Sequence, residues 1–143
     1  MKTRMFVSIG IFVLVVVAIF IFASCDNNGG GGDPAIVGIW IGTEVGPFTS
    51  WTMVFHETTV VASTDGQEAY RGNYTAYPEE DPKRFEYKIT SSSITQYVGK
   101  TAHGIYKIEG DQLTIASNEP GVNDTPTSFT PGGGTRVFEL TKQ

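Results

Sequence analysis

A chain of 143 residues, 40% of them apolar, has material for one domain and one core. Ten Lys and Arg against fifteen Asp and Glu give a formal net charge of -5, which excludes a basic surface able to neutralise phosphates, so nucleic acid is not an expected partner. A single cysteine excludes a disulfide framework, and with only two histidines it leaves little for a metal centre or a nucleophile with its base; no cofactor is expected.

The amino terminus is the least random part. Lys2 and Arg4 precede Met5 to Ala23, a run without a charge, and Ser24-Cys25-Asp26 follows. A basic start, an apolar stretch and small residues form the three-part layout of a secretory signal. Phe22-Ala23-Ser24-Cys25 resembles the lipobox of bacterial lipoproteins, with Ala23 and Ser24 at its small positions and Phe22 in place of the usual Leu. The resemblance implies a signal peptide over 1–24, cut before Cys25. It also implies lipidation of that thiol and acylation of the new amine by a chain such as palmitate. An uncut membrane anchor is the alternative, because about 20 apolar residues span a bilayer. Either reading exports the body to the bacterial cell envelope, on the periplasmic side or the cell surface, with the membrane as its first partner. Removal of Lys2 and Arg4 would leave the body more acidic still.

Asp26 to Asp33 carries no apolar side chain and four glycines, and reads as a tether, so residues 25–35 separate the signal from a domain over 36–142. From there the period is two. Phe85, Tyr87 and Ile89 alternate with Arg84, Glu86 and Lys88; Trp51, Met53 and Phe55 alternate likewise, as do Leu113 and Ile115. Turn signals at Asp65-Gly66, Pro78 to Pro82 and Glu109-Gly110-Asp111 separate such runs. The pattern predicts strands near 36–45, 50–56, 58–64, 67–77, 83–90, 93–98, 103–109, 111–117 and 135–142. The fold class is therefore all-β, an antiparallel meander of eight or nine strands. Unpaired sheet edges invite aggregation, and closure into a barrel removes them.

Gly38-Ile39-Trp40 resembles the Gly-x-Trp signature of lipocalin-type barrels. Gly104 to Ile115 resembles the late hairpin of small bacterial lipocalin-like domains, and Pro126-Thr127-Ser128-Phe129 before the last strand recurs there too. The resemblance covers about residues 36 to 142. It implies that Trp40 plugs the closed end and that a basic side chain of the last strand lies over it, a contact worth about 0.5 to 2 kcal/mol. Arg136 and Lys142 both qualify.

A barrel of eight strands either holds one small ligand or fills itself with side chains. Trp51, Phe55, Tyr70, Tyr74, Phe85, Tyr87, Tyr97 and Tyr106 could line a calyx for a small apolar ligand or simply form the core. His56 and His103 stand at strand ends without a nucleophile motif, and read as turn residues rather than catalytic ones, so no enzyme is expected. Glu79-Glu80-Asp81 offers carboxylates to a cation but adjoins Lys83-Arg84, and reads as a solvated loop. Residues 118–134 are longer than an ordinary hairpin connection; they read as a flap across one barrel end, anchored by Phe129. The function expected is a lipid-anchored binding module. The alternative is an interaction or inhibitor lipoprotein whose filled barrel contacts an envelope protein.

Overall fold

The computed structural model describes residues 31–143. The expected signal segment, Cys25 and the first part of the tether lie outside the described residues. Eight strands follow one another: β1 Gly38–Glu44, β2 Ser50–Phe55, β3 Thr59–Thr64, β4 Gln67–Tyr77, β5 Lys83–Ser92, β6 Thr101–Glu109, β7 Gln112–Asn118 and β8 Thr135–Lys142. Each pairs antiparallel with the next, and β1 closes on β8 with Trp40 opposite Lys142 and Glu44 opposite Phe138. The result is a closed barrel whose interior receives every second side chain.

The local causes are visible in the residues. In β2 the buried positions are Trp51, Met53 and Phe55, with more exposed neighbours between them, so the alternation selects one face for the interior. Asp65 and Gly66 both adopt positive φ, 50° and 74°, as a two-residue hairpin turn between Thr64 and Gln67 requires. At the β1–β8 seam a side chain at Gly42 would run into the carbonyl oxygen of Glu139, so the closing ladder needs a residue without Cβ there.

The expected strand over 93–98 is not formed. Ile94 N–H donates to the hydroxyl of Ser92, Tyr97 N–H to Ile94 and Val98 N–H to Thr95, so local bonds consume the donors, and Thr95–Tyr97 is a single 3-10 turn. Topology gives the reason. In an antiparallel meander of nine strands the first and last run parallel, whereas eight close the ring antiparallel.

The four connections after β1, β3, β5 and β7 gather at one end of the barrel. The segment before β1 and the other three connections gather at the opposite end. That second end is shut. Trp40 and Tyr106 are fully buried there beside Ile36 and Leu113, and Ile36 belongs to the segment that precedes the first strand.

The tether reading needs two corrections. Asp33 is buried: its backbone carbonyl accepts from Ile36 N–H, and its carboxylate accepts from Ala35 N–H at 2.9 Å and from the Tyr106 hydroxyl at 2.8 Å. Gly31 already belongs to the fold, accepting from Ala76 N–H at 3.2 Å. Residues 31–37 are therefore the floor of the barrel, because the polar side chain of Asp33 finds a partner inside rather than in water.

The 118–134 connection does not cross the barrel end. Phe129 packs with Val45 on the outer side of the wall, against Ile105, Ala116 and Val137. Those residues alternate with the inward-facing ones of β6, β7 and β8, and their apolar side chains would otherwise meet water. Burying them outweighs any gain from roofing the mouth. Asn118 pins the start of the connection, its amide donating to the Asp124 carbonyl and its oxygen accepting from the Thr135 hydroxyl at 2.6 Å.

Candidate functional site

The open end leads into a cavity of about 390 Å³. Trp51, Met53 and Phe55 of β2, Val60 and Ala62 of β3, and Phe85, Tyr87 and Ile89 of β5 form much of its wall, with Ala102, Ile115 and Phe138 opposite. Ile94, Tyr97 of the 3-10 turn, and Ser117 to Pro120 contribute to the rim. The lining is mostly aromatic and aliphatic, as the period of two dictates for residues whose faces point inward.

Of the aromatic residues singled out from sequence as candidate ligand contacts, Trp51, Phe55, Phe85 and Tyr87 line this space, and Tyr70 and Tyr97 join them near the rim. Trp51 stacks on Tyr70 with centroids 6.1 Å apart and meets Phe138 edge-on at 5.5 Å, the geometries that aromatic pairs prefer. Tyr74, Tyr106 and Phe129 do not line it. Tyr74 lies toward the floor, where its hydroxyl donates to the carbonyl of His56 at 2.7 Å. Burial, with the charge of Asp33 adding, pushes its pKa up to about 12. Tyr106 is the fully buried partner of Asp33, and burial first, then that hydrogen bond, raises its hydroxyl well above the usual range. Phe129 is on the outer wall, with Lys107 Nζ 5.7 Å from its ring centroid.

The two basic candidates of the last strand separate. Lys142 Nζ lies 5.1 Å from the centroid of Trp40, outside the floor, while Trp40 Nε1–H donates to the carbonyl of Ile36 at 2.6 Å. Arg136 takes no part in closure. It sits at the opposite end, with its guanidinium carbon 5.1 Å from the Trp51 centroid and 5.0 Å from that of Phe138. Its Nε and Nη2 donate to the two oxygens of Glu44 at 2.7 and 2.6 Å. That bidentate pair raises the guanidinium pKa further and fixes a charged side chain inside an apolar mouth.

Two polar atoms of the wall stand out. The Trp51 indole N–H and the Tyr87 hydroxyl are buried and have no hydrogen-bond partner among the described residues. Such groups are rare, since each forfeits its bonds to water. Burial raises the Tyr87 pKa well above its ordinary value, so the phenol stays neutral and able to donate.

The remaining candidates do not gather into a site. His103 Nδ1 is 3.7 Å from Glu86 on the outer face, and His56 is exposed in the β2–β3 turn. Glu80 is held by Arg84 at 2.9 and 3.1 Å. Among the described residues no group of three or more His, Cys, Asp or Glu is placed to hold a metal ion.

Reasoning from sequence missed Glu44 and Asp33. Glu44 is in phase with Trp40 and Gly42 on β1, and Arg136 with Phe138 and Leu140 on β8; a charge on the apolar phase of each was the available signal. No protein-family model matches the chain, and no curated protein or solved structure matches it either.

Proposed function

We propose that this protein is a lipid-anchored lipoprotein of the bacterial envelope whose lipocalin-like barrel binds a small apolar ligand through its open end. The observation that carries the reading is the cavity of about 390 Å³ behind the Trp51–Tyr70–Phe138 rim. Packed interiors leave few voids larger than a water molecule, whereas small-molecule sites occupy roughly 300 to 1,000 Å³ and combine apolar walls with a few placed polar groups. The anchor rests on Lys2, Arg4, the apolar run and Cys25 at its end. The lipocalin likeness rests on Gly38-Ile39-Trp40, reinforced by Lys142 over the indole.

Native mass spectrometry of the protein extracted from its own cells tests both halves. The expected species begins at an acylated Cys25 and carries a small-molecule adduct lost on activation. An unacylated chain overturns the anchor, and a ligand-free chain that also refuses every apolar probe overturns the binding reading.

A second reading, contact of the rim with an envelope protein, draws on exposed apolar residues of the open-end loops. Phe48 is 77% exposed, and Ile94, Val98 and Val122 are each more than 40% exposed.

A further inference from the structure

The polar groups of the mouth supply hydrogen-bond donors without net positive charge, and this bears on which ligands the proposed binding site admits. Arg136 and Glu44 form a neutral unit. Glu44 is only 8% exposed, so its carboxylate depends on the guanidinium for stability in an apolar setting. Of the five N–H donors of Arg136, two serve Glu44, and Nη1 makes one long contact of 3.5 Å to the Tyr70 hydroxyl. Donors are therefore left over at the rim.

The indole N–H of Trp51 and the hydroxyl of Tyr87 also lack a partner among the described residues, but both atoms are buried and open neither to solvent nor to the cavity. The spare N–H groups of Arg136 gain from an acceptor oxygen. An anion fares differently. Arg136 is the one cation among the cavity-lining residues, and Glu119 at the rim is acidic. A carboxylate at the spare donors would set a second negative charge beside Glu44, whose own charge already balances Arg136.

We infer that the cavity selects an uncharged, largely apolar molecule bearing a carbonyl-type acceptor oxygen, and discriminates against the carboxylate of the same size. The oxygen is received by Arg136 Nη1, and the apolar body lies toward Phe55 and Phe85. The volume of about 390 Å³ lies at the lower end of the range for small-molecule sites. This inference rests on the binding reading, and its test separates the two.

The full chain in a non-ionic detergent is titrated with methyl decanoate, decanoate and undecane at neutral pH, and bound probe is counted by native mass spectrometry. The ester is expected to bind about tenfold more tightly than either of the others, the effect of one satisfied against one missing or stranded polar group. Glu44→Gln keeps the shape of the pair and leaves Arg136 with its charge, so decanoate is expected to gain more than tenfold and overtake the ester. The wild-type ranking is decisive whatever the stability of the variant. Equal binding of ester and decanoate, or preference for decanoate, overturns the charge selection alone, and equal binding of ester and undecane overturns the acceptor requirement. If none of the three binds, the binding reading falls and this inference with it.

Discussion

Each end of the barrel places a basic side chain of β8 over a tryptophan, Lys142 over Trp40 and Arg136 over Trp51, each with 5.1 Å between the charge centre and the ring. At the floor every polar group is answered. Trp40 donates to Ile36, Tyr106 to Asp33, and Lys83 Nζ stands 3.6 Å from the same carboxylate. At the mouth the same motif surrounds a void, and the Trp51 N–H has no partner. The difference is between a plug and an open cavity. Satisfied polar groups in a packed layer add stability, whereas a buried donor without a partner lowers it.

Removing the plug should have the largest effect. Trp40→Ala deletes a fully buried ring and is expected to destabilise the barrel by about 3 to 5 kcal/mol, read by denaturant unfolding; a loss below 1 kcal/mol would place the closure elsewhere.

The floor also has a pH signature. The folded pKa of Tyr74 lies at about 12 against an ordinary value of 10.0, so its contribution is fully present below pH 10 and lost as pH rises from 10 through 12. The loss is on the order of 2 kcal/mol. Stability measured across that range should fall in the wild type and less steeply in Tyr74→Phe; parallel curves would show that the phenol does not sense the floor.

A smaller effect separates the outer wall from both ends. Phe129→Ala should cost about 1 to 2 kcal/mol, the value of a half-buried ring, and leave probe binding unchanged. Faster ligand release would restore the loop as a gate.

Trp51→Phe should change stability least, by less than about 1 kcal/mol, because losing ring contacts is offset by losing an unsatisfied donor. Binding of methyl decanoate should nevertheless weaken. A large loss of stability would mean that the mouth is as tightly built as the floor.

How much of this could be read in the sequence follows from what a period of two encodes. Phe85, Tyr87 and Ile89 announce a strand and the face it buries, and Asp65-Gly66 announces its own turn type, because both signals are local. Height along the barrel axis is not local. Tyr74 and Tyr87 stand opposite each other in the register, yet one reaches toward the floor and the other lines the cavity, and only the closed ring with its tilt decides which. Asp33 was hidden for another reason: glycines and acids before a strand look the same whether they trail in water or tuck beneath a barrel. Phe129 showed that it must be covered, not by what. The Arg136–Glu44 pair joins residues 92 positions apart, so neither carries a neighbouring signal of the other.

The floor has a mechanical consequence. The chain reaches β1 through Gly31, Asp33 and Ile36, so whatever holds the amino terminus grips the barrel by its base, as a cup is held by its foot. β1 has seven residues and puts the mouth about 20 Å beyond that grip. Tension along the amino-terminal segment would load the Asp33–Tyr106 bond and the seat of Ile36 before any strand pair in the wall, and a ligand would arrive from the side facing away from the point of attachment.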